Sequence, residues 1–187
     1  MDFKKDLLLI DTELSGLDVD RHEVLQLAAV LLDKKTLKEK KSFVSYVRPK
    51  KWNDRDLRSM QVNGITWEMV KSAPNLAQVI KKFNAVFPAK KVILSYYVGV
   101  ADINFLQAAY KKAKSRWPFD YHYFNIWGLF FSFLAKHNLL SSKKDFAGFG
   151  LESLLKHFKI KIPLSMHDAL TDCRMEAEVL RRVVKKL

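Results

Sequence analysis

The stretch KDLLLIDTELSGLD, residues 5–18, decides how the rest of the chain is read. Residues 5–10 are short and apolar and read as a strand ending at Asp11. A polar turn carrying Gly16, Asp18 and Asp20 follows, and residues 24–32, VLQLAAVLL, make a second apolar run. Residues 42–47 alternate polar with apolar side chains and stop before Pro49, which predicts a third strand. Three strands joined by short connections predict an antiparallel meander.

Beyond residue 74 the period changes. Residues 75–87 place Leu76, Val79, Ile80, Phe83 and Phe87 at helical spacing between Pro74 and Pro88. Residues 92–97 are again an apolar strand, and residues 102–114 carry Ile103, Leu106, Ala109, Tyr110 and Ala113 on one helical face. Residues 124–134 are aromatic and fit either a strand or a helix. Residues 151–158 predict a short amphipathic helix behind Gly148 and Gly150, and residues 168–186 a long helix, with Ser165 and Asp168 at capping-box spacing. Strands first, then helix and strand in alternation, predict an α/β fold: a mixed sheet, antiparallel meander then parallel strands, flanked by helices. No repeat or linker divides the chain, so a single domain over residues 1–187 is expected.

With 49% hydrophobic residues in 187, the chain can bury a core without disulfides or structural zinc. The lone Cys173 cannot form an intrachain disulfide, and no Cys/His cluster has zinc spacing, so a reducing, cytoplasmic setting is expected. The apolar run of residues 7–10 lies between Asp6 and Asp11 and is too short for a signal peptide or a membrane span, so no membrane partner is expected. The formal charge of +13 is spread over clusters such as Lys34/Lys35, Lys50/Lys51 and Lys111/Lys112/Lys114. Such a surface attracts polyanions in a salt-dependent way, though it equally serves as an ordinary solvated exterior.

Asp11 and Glu13 are alternate residues of an extended segment and therefore share a face. Alone the pair says little, since 20 acids in the chain make about two acid-x-acid triplets expected by chance. Asp102 opens a helix, where the dipole favours a carboxylate with or without a metal. Asp172 lies in the first turns of the long helix, close behind His167, and a lone histidine there is more often a capping or surface residue than a base. The combination is more specific: a two-metal centre needs several carboxylates converging on hard divalent ions about 4 Å apart. Three strand or helix junctions each deliver one part of such a set.

These residues resemble the DEDDh 3′-to-5′ exonucleases, a family that includes the epsilon subunit of DNA polymerase III, ribonuclease T and oligoribonuclease. The resemblance covers nearly the whole chain. LLLIDTELSGLD carries the acidic pair, VNGIT with SAPNLAQVIKKF resembles the segment before the second motif, and ILSYYVGVADINFL supplies Asp102. GLESLLKHFKI then leads to HDALTDCRMEAEVL, where His167 and Asp172 have the spacing of the last motif. The chain departs from the pattern at residues 96–101, YYVGVA, where the family has a His-Asn pair and an aromatic residue, at Leu14 for threonine and at Asn63 for histidine.

The resemblance implies a ribonuclease H-like fold and hydrolysis of single-stranded DNA or RNA from 3′ ends. It implies Asp11, Glu13 and Asp172 around a first Mg²⁺ or Mn²⁺, Asp11 and Asp102 at a second, and His167 as general base. It also implies Leu14, Ser15, Gly16 and Tyr97 as contacts for the terminal nucleotides, while Leu14 equally suits a core. A nucleic-acid-binding protein without turnover, a subunit docked on a DNA polymerase and an exonuclease specialised for RNA or short oligonucleotides stay open as alternatives. The sugar preference and the oligomeric state are not readable from the sequence.

Overall fold

A computed structural model describes residues 3–97, 101–140, 150–163 and 167–187. Five strands, β1 (Asp6–Leu14), β2 (Val24–Leu32), β3 (Glu39–Tyr46), β4 (Val92–Tyr96) and β5 (Phe124–Asn125), form one sheet in the order β3-β2-β1-β4-β5. β1 pairs antiparallel with β2, as β2 does with β3, whereas β4 runs parallel to β1 and β5 parallel to β4. This is the expected mixed ribonuclease H-like sheet.

β1 lies at the centre of the sheet, which explains why Leu7, Leu8, Leu9 and Ile10 show no polar alternation: both faces are covered, and all four are fully buried. Leu8, Ile10 and Leu14 pack against α3 (Leu76–Val86) and α4 (Ala101–Lys112). Leu7 and Leu9 point the other way, into a second core formed with α5 (Ile126–Lys136), α6 (Leu151–His157) and α7 (Ala169–Val184). α3 starts where its sequence says it should, with Asn75 and Gln78 forming a reciprocal capping box.

Several expectations need correcting. β1 does not stop at Asp11 but continues to Leu14, so the acidic pair lies inside a paired strand, opposite Ala28 and Gln26 of β2. The register shifts between Glu13 and Leu14, and after this bulge Leu14, opposite Val24, is the last paired residue of the strand. The ambiguous residues 124–134 split into the two-residue β5 and then α5, which Asn125 caps by accepting from the Gly128 amide. Ser165 lies outside the described residues. The cap observed on α7 is Asp168 itself, whose side chain accepts from Thr171 N.

Two short helices, α1 (Leu57–Asn63) and α2 (Trp67–Val70), have no counterpart in the sequence reading. α1 has no buried residue and hence no apolar period; Asp56 caps its start and Gly64, at φ 66°, its end. Among the described residues no helix is long and apolar enough to cross a membrane.

Candidate active site

On β1, Asp11 and Glu13 share the face that carries Leu7 and Leu9 and is covered by α7. α7 brings Asp172 to them in its first turn, and oxygens of Asp11, Glu13 and Asp172 all lie within 4.8 Å of one another. Gln26, the register partner of Glu13, fixes this approach. Its Nε2 donates to Asp168 Oδ1 at 3.0 Å, and its Oε1 accepts from Ala169 N at 3.0 Å. A side-chain amide in the sheet thus holds the first residues of α7 over the strand that carries the acids.

His167 precedes this helix, exposed and at φ 68°, a left-handed backbone that is uncommon for a residue with a side chain. Its backbone N–H donates to Asp172 Oδ2 at 3.2 Å, which ties the residue to the cluster. The other oxygen, Asp172 Oδ1, is buried with no hydrogen-bond partner.

Asp102 arrives from the opposite face. Thr12, which points away from Asp11 and Glu13, donates to Asp102 Oδ1 from its backbone at 3.1 Å and its hydroxyl at 2.6 Å. Asp102 is therefore anchored beside the cluster but is not among the three carboxylates that converge. Thr12→Val removes one of the two donors and leaves a buried carboxylate oxygen short of a partner. The expected result is a loss of about 1–3 kcal/mol in stability by chemical denaturation, recovered in Thr12→Ser.

Burial and like charge act together on these groups. Burial, then the charges of Asp102, Glu13 and Asp172, holds the Asp11 carboxyl well above its ordinary range. Glu13 is pushed up to about 8 by burial, then by Asp172, Asp102 and Asp168. Burial raises Asp102 to about 6 against the two Thr12 hydrogen bonds, and raises Asp172 against the opposing influence of His167. One turn after Asp172, Glu176 is 3% exposed, has an unpartnered Oε2, and is raised by burial and then by Asp11, Asp102 and Asp172.

The pH dependence follows from Glu13. Between its ordinary value of 4.5 and about 8, the folded chain keeps a proton that the unfolded chain has released, so stability falls as pH rises through that window. Metal-free protein should melt higher at pH 6 than at pH 8.5 by several degrees in a thermal-shift scan. Added Mn²⁺ should raise the melting temperature more at pH 8.5 than at pH 6, because a cation replaces the proton. A flat profile in EDTA would contradict the electrostatic account.

The residues expected to contact the terminal nucleotides are closely packed. Leu14 (8% exposed), Ser15 (3%) and Tyr97 (5%) are buried side chains, and Gly16 is packed against the ring of His22. Leu14 belongs to the core shared with α3 and α4. The Ser15 hydroxyl accepts from Glu23 N, and burial raises the Tyr97 hydroxyl well above its usual value, helped by Glu176. Leu17, 78% exposed, is the apolar side chain of this loop that reaches solvent. α1 is pinned beside it, since Asp56 N donates to Ser15 O at 2.7 Å and Asn63 Nδ2 to Leu14 O at 3.0 Å. Thr12, Gln26 and Glu176 were not singled out from the sequence. Only Glu176 left a signal there, as an acid on the apolar face of α7 one turn beyond Asp172.

An exonuclease family model, RNase_T, matches residues 8–180. The chain is 25% identical over 188 residues to the DNA polymerase III subunit epsilon of Aquifex aeolicus, covering 96% of this chain and 81% of that protein. It is 24% identical over 185 residues to the PolC-type DNA polymerase III of Caldanaerobacter subterraneus subsp. tengcongensis, covering 97% of this chain but spanning only 12% of the polymerase. The nuclease domain of 3′hExo, a DEDDh family member crystallised with rAMP, superposes with a TM-score of 0.78 over 100% of this chain and 95% of that one, at 22% identity.

Proposed function

The chain belongs to the exonuclease family matched over residues 8–180, and from that premise we propose that it is a metal-dependent enzyme shortening single-stranded DNA or RNA from the 3′ end. The products would be nucleoside 5′-monophosphates, and one catalytic domain over residues 1–187 would suffice. The observation that carries this reading is the convergence of Asp11, Glu13 and Asp172 within 4.8 Å, with Asp172 Oδ1 buried and unpartnered. Crowded carboxylates held above their ordinary pKa lack positive charge, and hard oxygen donors of this kind fit Mg²⁺ or Mn²⁺.

Asp11, Glu13 and Asp172 would hold one cation, and Asp11 with Asp102 a second. Bound there, such ions supply Lewis acidity for the scissile phosphate and the leaving 3′ oxygen. His167, exposed at the lip of the cluster and tethered through its own N–H to Asp172, would take the proton of the attacking water. Leu14, Ser15, Gly16 and Tyr97 would line the place of the terminal nucleotides, with the exposed apolar side chains of Leu17 and of Leu57 on α1 meeting the bases. The charge of +13 supports a polyanionic substrate read through its phosphates. A lone buried thiol at Cys173 suits a reducing, cytoplasmic setting.

The similarity to polymerase III epsilon favours a second reading, a subunit that keeps the exonuclease fold while docked on a DNA polymerase. Degradation of matched 5′-labelled single-stranded DNA and RNA with Mg²⁺, Mn²⁺ or EDTA separates the two, with Asp11→Ala as the control for contamination. A metal-dependent ladder shortening from the 3′ end, absent in the variant, supports the enzyme and identifies its sugar. No cleavage of either strand, with salt-sensitive binding retained, favours the binding subunit.

A further inference from the structure

On the face of the sheet opposite the converging acids, a groove of about 640 Å³ opens beneath α4 and the start of α3. Its floor is apolar, formed by the buried Val24, Val47, Phe105 and Ala109. Its rim is cationic, with Arg48, Lys50, Lys51 and Lys112. The side chains of Arg48, Lys50 and Lys51 are solvent-exposed and make no hydrogen bond or ion pair with other described residues. Lys112 Nζ is fixed at the rim, donating to Val19 O at 3.3 Å and His22 O at 3.4 Å. Glu23, the acid among the lining residues, has its carboxylate engaged by the Lys50 and Lys51 amides at 2.9 and 2.7 Å, so it does not pair with the rim amines. An apolar floor with four cationic side chains against one carboxylate at the rim matches a nucleotide: a base below, phosphates at the edge.

The groove is also connected to the carboxylate cluster. Leu14 of β1 pairs with Val24, and Val47 N donates to Leu25 O, so both sites open at the same edge of the sheet. The loop after β1 joins them. Gly16 lies against the ring of His22 so closely that a Cβ there would come within 2.4 Å of it, and His22 lines the groove.

We propose that this groove is an exosite for single-stranded nucleic acid, seating a nucleotide of the strand upstream of the 3′ end held at the carboxylates. It rests on the exonuclease reading above, and it adds a second anchoring point that would let long strands bind more tightly than short ones. Neutralising the rim reduces the phosphate contacts and therefore the salt dependence.

The test is anisotropy of a labelled 12-nucleotide strand in EDTA, comparing wild type with the triple variant Arg48→Ala, Lys50→Ala and Lys51→Ala. Affinity should fall about tenfold, and the slope of log K against log salt should become shallower by about 2, the value for three phosphate contacts on a single strand. A control triple, Lys34→Ala, Lys35→Ala and Lys38→Ala, removes the same charge elsewhere and should change neither by more than about a third as much. Ala108→Trp, which fills the floor without altering charge, should weaken the strand at an unchanged salt slope while melting like wild type. An equal loss in the control triple would overturn the exosite as generic attraction. Groove-dependent binding of free AMP, with the 12-nucleotide strand unaffected by the rim triple, would overturn it in favour of a free-nucleotide site. Hydrolysis of a dinucleotide, measured in parallel, should be unchanged by the rim triple. If wild type cleaves nothing yet its strand binding depends on the rim, the exonuclease reading fails and the exosite stands. If wild type cleaves and the rim triple binds normally, the reverse holds.

Discussion

Asp11→Ala should abolish 3′ degradation, by on the order of 10³-fold or more, equivalent to roughly 4 kcal/mol of transition-state stabilisation, while raising the melting temperature of the metal-free protein. The two halves of this result have one cause. Asp11 is the carboxylate through which both proposed cation positions are joined, and it is a buried group opposed by its neighbours Asp102, Glu13 and Asp172. Removing it takes away a ligand and relieves the repulsion that burial amplifies. Asp11→Asn, which keeps the volume, should behave the same way, so that any stabilisation is not confused with a cavity. In either variant the pH dependence of melting should flatten, because the raised Asp11 carboxyl no longer holds a proton that the unfolded chain would release. Retained activity at even a tenth of wild type would remove Asp11 from the chemistry.

For His167→Ala the expected result is a fall in kcat of about 10²–10⁴-fold with Mn²⁺ affinity and melting temperature close to wild type. Stability is spared because the imidazole is exposed, and because the contact that fixes this residue, its backbone N–H to Asp172 Oδ2, survives the substitution. The left-handed backbone at φ 68° is no easier for alanine than for histidine, whereas His167→Asn suits it better and should be at least as stable. Activity equal to wild type would exclude His167 as the proton acceptor.

Much of this arrangement was legible in the sequence, for identifiable reasons. The unbroken apolar run of β1 and the nine residues of β2 indicated a sheet covered on both faces, and that is how Leu7 to Ile10 are buried. Alternation placed Asp11 and Glu13 on one side, and the resemblance of HDALTDCRMEAEVL to the last motif assigned Asp172 to the same set. What was not legible depends on partners distant in sequence. Nothing local distinguishes Thr12 as the residue that anchors Asp102, or Gln26 as the one that positions α7, because both act through side-chain hydrogen bonds across the sheet. α1 left little trace since none of its residues is fully buried: Met60 alone packs against the cluster of Leu25, Ile65 and Val70, and hydrogen bonds at Asp56 and Asn63 pin its ends. The packing of Leu14 and Tyr97 was likewise hard to read, since each lies at the end of an apolar strand and nothing local separates a side chain kept in the core from one turned toward a ligand.

The acids that converge come from positions 11, 13 and 172, so the centre is joined by contacts spanning nearly the whole described chain. Such contacts close late, since the entropy of bringing distant segments together must be met before any local reward. The β1–β2–β3 meander can assemble from neighbours while synthesis continues, but no cation site exists until α7 has emerged and docked on β1 and β2. A growing chain that still lacks α7 therefore carries Asp11 and Glu13 without the third carboxylate that converges on them.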